Sequence, residues 1–538
     1  MAANSYDYIV VGSGSGGGAV AGRLSESGKY RVLCLEAGDK DQRYLWTRPP
    51  AGTVFLVDNP KVNWRYESIP NETTAGRSIY VPRGKMLGGS SSINGTIYNR
   101  GQAIDYDTWA QMGNRGWSYS DILPFLKKIE TTEVGSDEYR GRSGPIRVTE
   151  ASKISPFYDM YIAAANAAGI PSNPDYSGAS QEGVAMAQQT VYKGERQSTA
   201  TQYLAPARKR PNVTILSGAE AESLILEGKR CVGVRFRRNG RLEEARAGRE
   251  VIISCGAANT PKLLELSGIG NPEILSEHSI ACAHELRGVG ENLRDHFAAV
   301  MKWRFNREGV SIAKRGRGLG LAKEVLNYVL FRKGFISQGI GTMRVFARSR
   351  PDLENPDIMM VVAPYIIELK EGQGRSMSPV EGFFCYSHVQ RTESTGTMHI
   401  RSANPADPPA INFRFLDTVN DRMGAIEAIR KAREIVAQSP MAEAVAEELT
   451  PGDQVQTDDE ILHFLRTTGQ ITHHMVGTCR MGQDPMAVVD DRLRVHGIEG
   501  LRIADASVMP TIPSGNTNIP SIMVGEKCAA MVLEDATA

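Results

Sequence analysis

The chain has 538 residues, 41% hydrophobic and 23% charged, enough apolar material for two or more packed units and too much for one small domain. Its 62 basic residues nearly cancel its 61 acidic ones, which removes any bulk electrostatic reason to expect nucleic acid as a partner. The seven cysteines are odd in number, scattered and never in CxxC spacing, so neither a disulfide scaffold nor a thiolate zinc site is expected; a reducing compartment, the cytoplasm, fits best.

In chain order, the N-terminus "MAANSYDYIVVGSGSGGG" lacks the basic segment and long apolar run of a secretory signal. Residues 6–11 read as a buried strand that stops at glycine, residues 17–27 as a helix and "YRVLCLEAG" as a second strand. Together they form a βαβ unit, the start of a parallel sheet. "REVIISCGAANTPKLLELSGIG" repeats the pattern of strand, glycine and leucine-rich helix. The stretch "AKRGRGLGLAKEVLNYVLFRKG" is basic and amphipathic; its short basic cluster favours a solvated helix face or mobile loop over membrane contact. "DIMMVVAPYII" is the most apolar run, but a proline interrupts it and it falls far short of the roughly 20 residues needed to cross a bilayer. "GTMHIRSANPADPPAINFRFL" reads as strands broken by turns, and "NDRMGAIEAIRKAREIVAQ" as an amphipathic helix, both assigned to a second, α+β domain. "LRIADASVMP", near the end, is one more buried strand. Parallel strands separated by hundreds of residues imply a doubly wound domain built from discontinuous segments, because long crossovers tolerate insertions.

The chemistry begins at "VVGSGSGG". Gly12, Gly14 and Gly17 stand in GxGxxG spacing between strand and helix, and Glu36 closes the second strand. The first glycine permits the turn, the second lets a pyrophosphate approach and the third lets helix and strand pack, while the acid can accept from ribose hydroxyls. That acid would repel a 2′-phosphate, which leaves NAD or FAD. "VPRGKMLGGSSSINGTIYNRG" adds many unobstructed backbone N–H groups, suited to a phosphate or a flat ring, although on composition alone it is also a flexible loop.

This last stretch resembles the first signature of the glucose–methanol–choline (GMC) family of FAD-dependent oxidoreductases. "GAANTPKLLELSGIG" resembles its second signature; "VGENLRDH", "HHMVGTCRMG" and "LRIADASVMPTIPSGNTNIPSIMVGEK" match further blocks in order, so the resemblance runs from end to end. It implies an α/β FAD-binding Rossmann-like domain with a parallel sheet, made of residues 1–155, 205–300 and 471–538. An inserted α+β substrate-binding domain with an antiparallel sheet is implied over 156–204 and 301–470. The implied FAD contacts are Gly12, Gly14, Ser15, Gly17, Glu36, Arg83, Gly89, Ser90, Asn94, Ala221, Asp505, Ala506, Asn516, Thr517 and Asn518. Where some members carry a histidine that tethers the flavin this chain has Ile93, so FAD is expected to bind noncovalently.

Two of the nine histidines are adjacent, His473 and His474. The resemblance places the catalytic base on His474 and its partner on Asn516, with Met475 where the family often has proline. The chemistry agrees: alcohol oxidation removes a proton and a hydride, flavin N5 accepts the hydride, and a separate base must take the proton. Asparagine can donate to the developing alkoxide without competing for that proton. Neighbours on a strand point to opposite faces, so His473 need not face the flavin; it is either part of the pocket wall or a buried histidine without catalytic duty. Metal binding is not expected, since adjacent histidines do not converge on one ion and the i,i+4 spacing is missing. The implied activity is oxidation of an alcohol, in particular a primary one, to an aldehyde, with oxygen or a quinone-type acceptor as oxidant. A non-redox lyase that retains FAD is the alternative on this fold, and a nicotinamide-dependent enzyme rests on the N-terminal glycines alone. The substrate pocket is expected from 301–470 and loops near 55–70.

Overall fold

The computed structural model describes residues 5–41, 43–370 and 374–537. The strand Ser5–Val11 buries its last four residues and pairs in parallel with Val32–Glu36 on one side and with the long strand Arg241–Ile253 on the other. Val213–Ser217 extends this parallel sheet beyond Val32–Glu36, and Leu501–Ile503 joins it beside Arg241–Ile253. Arg241–Ile253 also continues into an antiparallel run with Arg230–Arg238 and Ala219–Glu227, completing seven strands. The parallel sheet is thus assembled from distant segments, as the repeated strand–glycine–helix pattern implied.

The first helix runs Ser15–Leu24, two residues earlier than the periodicity predicts and three shorter at its end. Its first turn is glycine, which lowers helix propensity by about 1 kcal/mol per residue, and the pattern therefore hid it. Close packing overrides propensity here. A Cβ on Gly17 would stand 2.0 Å from the carbonyl oxygen of Gly12, and one on Gly525 2.4 Å from that of Gly16. The second contact seats the C-terminal helix Asn518–Asp535 directly against the first.

A second seven-stranded sheet is antiparallel throughout. Its main order is Val445–Thr450, Phe297–Phe305, Gly382–Val389, Ile358–Ala363, Met343–Ala347 and Gly183–Met186, with Gln470–Ile471 added to Phe297–Phe305. The helix Val419–Val436 covers one face, burying Ala425, Ile426, Ala428, Ile429, Ala432 and Ile435 at spacings of three and four. Alternation along the strands divides the other residues between two tasks. Met360, Val362, Phe383 and Cys385 enter the core under the helix, while Met359, Val361, Phe384 and Tyr386 face a cavity. The turn-rich stretch forms the hairpin of Thr397–His399 with Ala410–Asn412.

The basic amphipathic stretch does form a helix, Gly318–Phe331, but not with the solvated polar face expected of it. Its buried residues are Glu324 and Tyr328, and its leucines and valines face outward. No helix among the described residues is long and apolar enough to cross a membrane.

Candidate active site

A cavity of about 440 Å³ lies between the carboxyl ends of the parallel strands and the open face of the antiparallel sheet. Every residue picked from the sequence lines it except Gly17, which lies beneath the turn and packs helix against strand. The pocket wall includes Val57, Trp64 and residues of 340–386, within the segments expected to form it.

The half over the parallel sheet is made mostly of backbone. Three helices, Ser15–Leu24, Gly256–Leu266 and Asn518–Asp535, bring their first residues to this wall. Their N-termini present free N–H groups and partial positive charge suited to an anion. The glycines divide the labour. Gly12, at φ +97°, is pressed against the carbonyl oxygen of Ser254, to which an added Cβ would approach within 2.3 Å. Gly14 has no heavy atom within 4 Å of such a Cβ, so its surface opens into the cavity. This is the cradle a pyrophosphate needs, and the residues present fit FAD.

Ser15 Oγ donates to Asn518 Oδ1 at 2.7 Å and ties two of these helix starts together. Asp505 accepts from Gly256 N at 2.9 Å and Thr260 Oγ1 at 2.6 Å, fixing the helix Gly256–Leu266 to the end of the strand Leu501–Ile503. Glu36 accepts from Ser13 N, Ser13 Oγ and Gly38 N. Burial pushes its carboxyl up to about 7 against those bonds. Ile93, buried beside Leu56, Val62 and Met86, offers no nucleophile on the wall.

The histidine pair lies differently from a strand pair. The strand ends at Ile471, and His473 adopts a left-handed backbone, φ +68°. Alternation across a strand therefore does not apply, and both side chains reach the cavity. Arg83 Nη1 donates to the His473 carbonyl at 2.9 Å. His473 is exposed to the cavity, and the protein around it together with Arg83 and Arg375 shifts its ring downward from the usual histidine range.

His474 is held from four sides. Its backbone N–H donates to Asp295 Oδ1 at 2.8 Å; its Nδ1 lies 2.9 Å from His296 Nδ1 and 2.7 Å from Thr472 Oγ1; its Nε2 lies 2.8 Å from Asn516 Nδ2. These contacts fix the tautomer. His296 Nε2 sits 2.6 Å from the carbonyl oxygen of Gln390, and a carbonyl only accepts, so His296 carries its proton on Nε2. Burial and the neighbouring His388 hold His296 well below the usual histidine range, so it is neutral and its Nδ1 is an acceptor. His474 must then bear its proton on Nδ1, shared between His296 and Thr472. Its Nε2 is a lone pair that accepts from Asn516 and faces the cavity. Burial, then His296, His388 and His473, keep His474 itself well below the usual range, so it rests as the neutral, proton-accepting form.

Sequence reasoning missed the support for this arrangement. His296 closes the block "VGENLRDH", and that block's end was the signal available. Asp295 beside it is buried, and desolvation raises its carboxyl to about 7 although Arg83 lies 4.0 Å away. His388 packs against His296 with ring centroids 4.5 Å apart and planes tilted by 30°, and no local motif marks it. Arg344 was also missed. It is buried in the wall, with Nη1 donating to the carbonyls of Gly341 and Met343 and its Nε without a partner. Burial pushes it down to about 10.

A GMC oxidoreductase N-terminal family model matches residues 6–298, and the C-terminal model of the same family matches residues 392–525. The chain belongs to the GMC oxidoreductase family, whose members related to it are FAD-dependent oxidoreductases acting on CH–OH groups. It is 40% identical over 529 residues to an oxygen-dependent choline dehydrogenase of Brucella melitensis, covering 98% of this chain and 95% of that one. A formate oxidase from Aspergillus oryzae superposes with a TM-score of 0.91 at 27% identity, covering 99% of each chain. A pyridoxine 4-oxidase from Mesorbium loti superposes with a TM-score of 0.87 at 26% identity, over 97% of this chain and 98% of that one. Nothing among these relatives supports the lyase alternative.

Proposed function

We propose that this enzyme oxidises a small apolar primary alcohol to its aldehyde, with His474 as the base and Asn516 as the group that orients the hydroxyl. The observation that supports it best is the order of donors and acceptors around His474: the ring is neutral, locked with its proton on Nδ1, and its Nε2 lone pair is presented to the cavity beside an amide donor. An alcohol that takes Asn516's place at Nε2 donates its O–H to His474 and accepts from the Asn516 amide, so proton removal and alkoxide stabilisation fall on adjacent atoms. FAD, when bound, supplies the two-electron acceptor that takes the hydride from the carbinol carbon. The cofactor is held noncovalently, through the helix starts and the contacts assigned to it, with Ile93 against it. His473 forms pocket wall. The reoxidant is oxygen or a quinone-type acceptor; the described free cysteines fit a cytoplasmic setting.

The choice of an apolar alcohol rests on the wall over the antiparallel sheet. Met359, Val361, Phe384 and Tyr386 are joined there by Arg344 and Arg375, and no carboxylate lines this side among the described residues. A quaternary ammonium such as choline would lie against buried Arg344, which forms no ion pair among the described residues, and near Arg375, whose charge is already met by Asp58 at 3.2 Å, so no free carboxylate on this wall receives the cation in a low-dielectric site. Choline is therefore a poor substrate despite the 40% identity to a choline dehydrogenase. Anaerobic mixing of the holoenzyme with aliphatic and aryl primary alcohols and with choline tests this. Flavin bleaching by the neutral alcohols at far lower concentration than by choline is expected; preferential bleaching by choline would overturn it.

A further inference from the structure

We propose that the helix Gly318–Phe331 is a docking surface for an anionic lipid bilayer, on which it lies flat. The inference is independent of which alcohol the site takes. The helix is inverted relative to an ordinary surface helix, in which apolar residues face the core. Here the inward residues are Glu324 and Tyr328, one turn apart, and Glu324 pairs with Arg315 at its foot. Outward stand Leu319, Leu326, Val329, Leu330 and Phe331, with Leu319 91% and Phe331 65% exposed. Contiguous apolar surface of this kind marks an interaction site rather than scattered exposure.

Charge decides the partner. Arg317, Lys323 and Lys333 are exposed at or beside the same helix and form no ion pair among the described residues, while the only acid in the helix is the buried, paired Glu324. A second copy docking by two-fold symmetry through this face would bring these cations towards their own counterparts. Anionic headgroups complement them, and acyl chains take up the leucines. Fourteen residues make a helix about 20 Å long, suited to lying in the interface rather than crossing it.

The patch extends towards the cavity. The turn Phe335–Ser337, just beyond the helix, packs on the turn Pro50–Gly52. On either side of that second turn stand exposed Trp46 and Phe55, with ring centroids 4.5 Å apart, and the same stretch gives Val54 and Val57 to the cavity wall. Docking would therefore bring one wall of the active site close to the bilayer.

The test is co-sedimentation of the holoenzyme with vesicles of phosphatidylcholine alone and of phosphatidylcholine mixed with phosphatidylglycerol. Binding to the mixed vesicles is expected, weaker on phosphatidylcholine alone by roughly a hundredfold if each of the three cations contributes its usual attraction. The triple variant Arg317→Glu, Lys323→Glu, Lys333→Glu should lose that preference. The double variant Leu326→Glu, Leu330→Glu should lose binding to both, while flavin reduction by alcohol without vesicles stays at the wild-type rate, which reports an intact fold. Wild-type protein that sediments with neither vesicle, or variants that bind as it does, would overturn the proposal. So would a concentration-dependent mass in solution that the leucine variant abolishes without any vesicle binding, since the face would then belong to a second copy.

Discussion

The two halves of the cavity are built by different means. Over the parallel sheet the wall is backbone, with glycines that allow close approach, helix starts, and the carboxylates Glu36 and Asp505 that each tie down main-chain N–H groups. Over the antiparallel sheet it is side chain: Met359, Val361, Phe384 and Tyr386 stand on alternate positions of strands and share the wall with buried Arg344. Backbone recognition needs particular residues at fixed local spacing, whereas a side-chain wall needs only the right strand face. The first half can hold one cofactor through many changes of substrate in the second.

The largest effect expected is at the glycines. Gly16→Val drives a Cβ to 2.0 Å from the carbonyl oxygen of Ala504, where backbone must shift, and should yield little folded protein. A Cβ on Gly14 meets nothing within 4 Å and points into the cavity, so Gly14→Val should fold and keep its thermal midpoint as apoprotein, yet purify without flavin absorbance. Equal flavin content in the Gly14 variant and wild type would break the assignment of that wall to the cofactor.

Asn516→Ala removes the donor beside the His474 lone pair. Flavin reduction by alcohol should slow by about a hundredfold with flavin content retained. His296→Phe acts one residue further out: it deprives His474 Nδ1–H of one of its two acceptors, leaving Thr472, and removes the Gln390 carbonyl's donor. Stopped-flow reduction should slow by about tenfold, with an altered pH profile because the tautomer is no longer imposed. An unchanged profile would mean that Thr472 alone fixes the ring.

The smallest effect concerns stability. Burial pushes His388 down to about 4, so its contribution is whole above the unfolded value of about 6.5 and is lost as pH falls from there through 4. Asp295 and Glu36, both raised to about 7, run oppositely: their contribution is whole below their unfolded values near pH 4 and is lost as pH rises through 7. Thermal midpoints of wild type and His388→Gln, taken near pH 6.5 and pH 4.5, should show a smaller acid-side drop in the variant. The difference should be about 2 kcal/mol at most.

The same division explains what could be read in advance. The backbone wall was legible in part because GxGxxG and the terminal acid Glu36 are short local signals with direct physical meaning, whereas the run from Asp505 to Asn518 came from the resemblance to a family block; the structure brings both to one side of the cavity. His474 and Asn516 came from family blocks and do meet in space, at 2.8 Å. The support behind them was not legible, because His296 and His388 come together only through pairing of strands remote in sequence, and a lone histidine carries no spacing. Treating the histidine doublet as part of a strand failed because the left-handed residue His473 breaks the alternation. The helix Gly318–Phe331 was misjudged for a different reason: periodicity shows that a helix has two faces, not which one the rest of the protein will cover.

His474, through Nε2, is the group proposed to take the alcohol's proton. Anaerobic stopped-flow reduction of the His474→Ala holoenzyme, followed at the flavin absorbance over a range of pH, tests this role most directly. Flavin should remain bound, with reduction slowed by about a thousandfold and recovering only as pH rises and hydroxide can do the work of the base. Reduction at the wild-type rate, with the same pH dependence, would contradict that role.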